Sequence, residues 1–168
     1  NMIVTGGNQV WKIDSSGKSA HITQVPIRVH KGGSFGGAVV APANFGPYGG
    51  NILVPDQAIG SIFAISSNYT VTKIGTWLGA SEIVIIPQKM CTFGKLGAVF
   101  LTTHASDTGG SIVMYPKTNF ENLPMTALIT NQYNPSMVLM ILNNGVSIKQ
   151  FQSNINTQFL EGSTFVGC

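Results

Sequence analysis

Short apolar runs of β-branched and aromatic residues, separated by clusters of Gly, Pro, Asn and Ser, dominate the chain. No stretch sustains the period of about 3.6 residues that marks an amphipathic helix. The pattern therefore predicts an all-β protein with almost no helix. Met2 to Thr5, Val10 to Ile13 and Ala20 to Val25 read as three strands, turning at Gly6, Gly7 and Asn8 and again from Asp14 to Gly17. A second group comprises Gly37 to Ala41, Asn51 to Val54, Ser61 to Ile65 and Thr70 to Trp77, its first two runs joined by the Pro- and Gly-rich stretch Pro42 to Gly50. The third group is Glu82 to Ile86, Gly97 to Thr102, Ser111 to Tyr115 and Met125 to Thr130, and its loop Pro87 to Gly94 parallels the Pro42 loop. A fourth, less regular group runs Ser136 to Leu142, Val146 to Phe151 and Thr157 to Val166, with a hairpin turn at Asn143, Asn144 and Gly145.

The groups share a unit. Asn8 to Gly17, Gly60 to Asn68 and Gly110 to Tyr115 each place a small or polar residue before a strand led by Val10, Ile62 or Ile112. Repetition of one small sheet implies a fold made by stacking that sheet on its neighbours. The expectation is a single β-propeller-like domain over residues 1–168, with repeated antiparallel blades at approximately 1–30, 36–78, 81–131 and 135–168. The first unit lacks the innermost strand its successors have. Either Thr164 to Val166 supplies it, or the chain is a partial propeller completed by another chain.

Composition bears on location more than on chemistry. Hydrophobic residues make up 43% of the 168, enough for a buried core, while only 9% are charged, against roughly 25% in ordinary soluble domains. A surface made of Ser, Thr, Asn, Gln and Gly fits extracellular proteins and proteins that assemble, because weak charge offers little self-repulsion. The net charge of +3 comes from nine scattered Lys and Arg, no two adjacent, so no nucleic-acid footprint is expected. No apolar run reaches the length of a membrane-spanning helix. Asn1 to Thr5 shows neither a basic leader nor an initiator Met, and the chain reads as processed or truncated. Cys91 and Cys168 permit one disulfide or two buried thiols. Asn68, Tyr69 and Thr70 form an N-glycosylation sequon in a predicted turn, making Asn68 the expected acceptor. These features together point to a secretory route.

From Ala41 to Asp56 the chain resembles the secreted propellers of the NHL, SMP-30/gluconolactonase and strictosidine-synthase-like group: Ala-Pro, small residues, Phe45-Gly-Pro47, an aromatic, Gly49-Gly50, then a strand ending in Asp56. In that motif Pro47 stiffens the connection, and Gly49 and Gly50 supply the positive φ needed to re-enter the sheet. The lactonase branch of the group implies a divalent metal, with calcium suited to hard oxygen ligands, held in the central tunnel by residues at the heads of innermost strands. The matching positions here are Glu82 and Asn134, while the corresponding place in the second unit, Ser34 to Gly37, has no carboxylate.

Other chemistry is sparse. His21, His30 and His104 have no metal-ligand spacing, and His104 with Asp107 lacks the nucleophile elbow that hydrolytic catalysis would add. The pairs Gly36-Gly37, Gly49-Gly50 and Gly109-Gly110 read as turn glycines, since no phosphate-binding motif surrounds them. Trp11, Trp77 and Tyr48 offer stacking platforms for a glycan, or packing between blades. Three functions fit: an extracellular non-catalytic module that binds proteins or glycans or self-associates, a secreted metal-dependent lactonase-like hydrolase, and a partial ring completed by a second chain.

Overall fold

Strand propensity and the spacing of Gly and Pro decide the architecture, and the computed structural model is all-β. The structure describes residues 2–7, 9–24, 35–91, 99–105, 109–123, 125–132, 136–142, 146–152 and 159–166. Among them, fourteen strands form four antiparallel sheets, none closed on itself, and the helical content is two single turns at Gly46–Tyr48 and Lys117–Asn119.

The first sheet is the meander β1 (Met2–Gly6), β2 (Gln9–Ile13) and β3 (Ser19–Gln24), the three strands read from the first twenty-five residues. Asp14 ties its second turn. Its Oδ1 accepts the Ser16 hydroxyl at 2.6 Å and the Lys18 N–H at 3.0 Å, and these bonds hold the carboxyl below the usual aspartate range.

The second sheet runs in chain order through β4 (Val39–Val40), β5 (Ile52–Pro55), β6 (Ser61–Ile65) and β7 (Val71–Thr76), as the spacing of apolar runs predicts. The connection from β4 to β5 buries Phe45 to 1% exposure. Gly50 takes the expected positive φ of +77°, but Gly49 sits at φ −55°. Glycine is needed at Gly49 because a Cβ there would lie 2.1 Å from the Ala43 carbonyl oxygen.

The third and fourth sheets correct the predicted grouping. β8 (Ala80–Ile85) pairs directly with β11 (Ala127–Asn131), followed by β12 (Ser136–Leu142) and β13 (Val146–Gln152). The hairpin of β9 (Val99–Ala105) and β10 (Gly109–Tyr115) leaves that sheet and pairs instead with β14 (Phe159–Phe165). Burial explains the exchange. β8 and β11 carry buried apolar residues on both faces, so the sheet they share must be covered twice, and the fourth sheet supplies the second cover, with β14 lying nearest.

Three apolar clusters join the sheets in series. Val10, Phe35, Val54, Phe63 and Ile65 pack the first sheet on the second. Leu53, Ile62, Ala64, Ile83, Ala127 and Ile129 pack the second on the third. Val99, Leu101, Tyr115, Phe120 and Leu128, with Val84, pack the third on the fourth. Alternate residues of one strand thus serve different clusters: Ile62 and Ala64 face the third sheet, and Phe63 and Ile65 the first. The result is a series of four sheets in which the central strands β5, β6, β8 and β11 are largely buried on both faces.

Candidate functional site

The segment Phe35–Gly37 runs against three sheets. The Phe35 N–H donates to the Gly7 carbonyl at 3.1 Å, the Gly36 N–H to Pro55 at 3.1 Å and the Gly37 N–H to Ser81 at 3.1 Å. The Thr5 hydroxyl donates to the Gly36 carbonyl at 3.0 Å. Gly36 and Gly37 are therefore not turn glycines: they let the strand beginning at Phe35 lie against the head of β8, where Gly37 and Glu82 form a parallel bridge.

Glu82 emerges from this junction toward β14. A Cβ on Gly37 would lie 2.8 Å from Glu82 Cγ, and one on Gly162 would lie 3.4 Å from Glu82 Oε2, so glycines on both sides make room for the carboxyl. Oε2 accepts the Ser163 N–H at 2.5 Å, joining the third sheet to the fourth. The carboxyl borders a pocket of about 420 Å³ whose wall is Phe100, Thr102, Ile112 and the strand Gly162–Thr164. Burial pushes the Glu82 carboxyl above the usual glutamate range, and the Ser163 amide offsets this only in part. The Ser163 hydroxyl favours the carboxylate electrostatically, yet its oxygen is buried without a hydrogen bond of acceptable geometry.

A raised folded-state value means that Glu82 contributes most to stability below the ordinary glutamate pKa, and that this contribution is lost as pH rises through the folded value. Stability is therefore expected to fall with rising pH across the mildly acidic range. Glu82→Gln keeps an acceptor for the Ser163 amide and is expected to remove that slope. Urea midpoints of the two proteins from about pH 4 to about pH 7 provide the check. Parallel slopes would show that Glu82 is not the titrating group.

The remaining sequence-predicted residues disperse. Asn134, His30, Asp107 and Cys168 lie outside the described residues, and only the backbone of His104 is described, opposite Gly110 and Phe159. Among the described residues, no three His, Cys, Asp or Glu side chains gather as a metal cluster. His21 lies on the exposed side of the first sheet, edge-on to Trp11 at 4.9 Å between ring centroids. Trp77 and Tyr48 are half-buried against the cluster between the second and third sheets, and the Trp77 indole N–H is buried without a hydrogen-bond partner. Asn68 sits in an exposed turn, its Oδ1 accepting the Ser66 hydroxyl at 2.5 Å and the Thr70 N–H at 3.3 Å. Cys91 is not a free thiol, and its backbone N–H donates to the Val166 carbonyl at 3.0 Å.

Two further polar residues belong to the junction, Ser163, which the sequence does not single out, and Asp56, which ends the Ala41 to Asp56 motif. Ser163, the partner of Glu82, follows it by 81 positions, and no local pattern marks it. Asp56 is 1% exposed, with Oδ1 accepting the Ala58 N–H at 2.9 Å and Oδ2 buried without a hydrogen bond. Its signal is the turn Asp56 to Gly60, where an aspartate that bonds the backbone two residues on is expected. Among the described residues no helix is long and apolar enough to cross a membrane. Compared with known proteins, the chain matches no family model, no curated protein and no solved structure.

Proposed function

We propose that this chain is an extracellular, non-catalytic binding and assembly module on a propeller-like scaffold, related in design to the NHL and SMP-30/gluconolactonase group. The observation that carries this reading is the state of the two end sheets. Each turns one face to a neighbour in the stack and leaves apolar side chains uncovered on the other, with Met2 at 57%, Val4 at 36%, Ile112 at 67% and Met114 at 43% exposure. Apolar side chains exposed together on a sheet face favour an interaction site. A weakly charged surface supports the same reading, since little repulsion opposes contact between molecules.

Two covalent features belong to the proposal. A Cys91–Cys168 disulfide would close the C-terminal segment onto the start of the loop after Met90, and it is supported by the bond from Cys91 to Val166, two residues before Cys168. Glycosylation at Asn68 is supported by the exposed turn that presents it. Intact mass of secreted protein, before and after reduction and deglycosylation, tests both.

The native mass of the purified protein, measured over a range of concentrations with and without calcium, tests the functional reading. The expected result is a mass above that of one chain, indifferent to calcium. A monomer whose melting temperature rises with calcium would instead favour the metal-dependent lactonase-like hydrolase, because a ligand that binds only the folded state raises its stability.

A further inference from the structure

The hollow beside Glu82 combines an apolar wall with one open acceptor. Its volume is about 420 Å³, and Phe100 of β9 and Ile112 of β10 line it from the face of the fourth sheet turned away from Val99, Leu101 and Val113. Glu82 of the third sheet reaches it next to Gly162, where a Cβ would lie 3.4 Å from Glu82 Oε2 and 2.9 Å from the Thr102 hydroxyl oxygen. Oε2 accepts the Ser163 N–H, but among the described residues Oε1 has no hydrogen-bond partner and the carboxyl makes no ion pair. Thr130 stands directly opposite Glu82 in the pairing of β11 with β8, so the two side chains share a face. The Thr130 hydroxyl oxygen is buried without a partner, as is that of Ser163. Neither hydroxyl therefore satisfies the carboxyl. An unpaired acceptor at the end of an apolar hollow of this size is the construction of a small-molecule site.

We propose that this hollow binds a small, mostly apolar molecule carrying one hydroxyl, whose O–H donates to Glu82 Oε1 while its hydrocarbon body lies against Phe100 and Ile112. The inference goes beyond the assembly reading and holds for a single chain. Donor and acceptor counts select the head group. Thr102 and Thr164 of the wall are exposed to water, so at the inner end Oε1 is the acceptor on offer. An ammonium brings three N–H donors and would leave some of them unpaired there, whereas a hydroxyl brings one. A carboxylate would meet Glu82 with like charge. A hydroxyl also suits either state of Glu82, donating to the carboxylate or accepting from the acid, and burial favours the neutral form. A divalent cation needs several oxygen ligands, and among the described residues no three His, Cys, Asp or Glu side chains gather to hold one.

The amide resonances of Gly162 and Ser163, followed by NMR as hexanol is added, test the site. The expected result is saturable movement with a Kd on the order of 1 mM, and binding about tenfold weaker for hexyl methyl ether, which keeps the body and lacks the donor. Hexanoate is expected to move neither amide. Ile112→Trp places a larger side chain in the hollow from a position that is 67% exposed, and it is expected to abolish the hexanol response while the amides of β5 and β6 keep their positions. Equal binding of hexanol and its ether would take Glu82 out of recognition and overturn the proposal. Tighter binding of hexylamine than of hexanol would overturn the neutral head group. Movement that never saturates, or that survives Ile112→Trp, would overturn the site itself. Each of these outcomes leaves the assembly reading in place, because native mass decides that separately.

Discussion

Gly36→Ala is expected to cost more than about 4 kcal/mol and to leave little folded protein, an effect in the exceptional range for one methyl group. A Cβ at this position would lie 1.4 Å from the Ser81 carbonyl oxygen and 2.5 Å from its carbon, both backbone atoms of β8 that no rotamer change can move aside. Shifting the segment away is no remedy. The Gly36 N–H is held by Pro55 of the second sheet, its carbonyl by the Thr5 hydroxyl of the first, and the next residue by Ser81 of the third. Relieving the clash breaks at least one of these bonds and leaves a buried backbone group unpaired, at about 1–3 kcal/mol each, while opening the apolar contacts on either side. Gly6→Ala is the control. Nothing lies within 4 Å of a Cβ there, and a change within about 0.5 kcal/mol is expected. Urea denaturation of both variants, with soluble yield as a second readout, decides the matter: matching midpoints for Gly36→Ala and the parent would mean that the junction yields freely.

The first two sheets were legible in the sequence because their strands pair with chain neighbours. β1 to β3 and β4 to β7 are meanders, and turn chemistry at Asp14, Gly50 and Gly60 punctuates them. The third and fourth sheets were not, since their pairing is settled by distance along the chain and by which faces are apolar. Val84 of β8 and Ile86 just after it mark a second side that needs cover, but nothing local says that β9, β10 and β14 provide it. The same limit applies to the candidate site. Glu82 was visible as a carboxyl at a strand head, whereas its partner Ser163 becomes a neighbour only when β14 returns beside β8. Gly36 and Gly37 looked like turn residues because glycine at a close backbone approach and glycine in a turn have the same letter.

The fourth sheet, assembled from two distant segments, depends on a side chain that belongs to no strand. Phe120 follows the single turn Lys117–Asn119 and is fully buried. Its ring meets Tyr115 of β10 at 6.4 Å, Phe165 of β14 at 5.5 Å and Phe151 of β13 at 5.1 Å between centroids. It therefore holds both segments of the fourth sheet against the third. Phe120→Ala is expected to cost about 3–5 kcal/mol, the upper part of that range applying because three aromatic contacts are lost together. Phe120→Leu fills part of the space and is expected to recover roughly half of the loss. Urea midpoints give the magnitudes, and hydrogen exchange gives the mechanism. If Phe120 locks the fourth sheet, amides of β9, β10 and β14 lose protection in Phe120→Ala before those of β5 and β6, whose cluster between the second and third sheets is untouched. Uniform loss across all four sheets would show instead that the stack unfolds as one unit. A cost below about 1 kcal/mol would mean that the surrounding rings close over the gap. Release of β14 would also open Glu82 to water and relieve the burial that raises its carboxyl, so Phe120→Ala is expected to flatten the same pH dependence that Glu82→Gln removes, through a substitution that leaves the carboxyl itself intact.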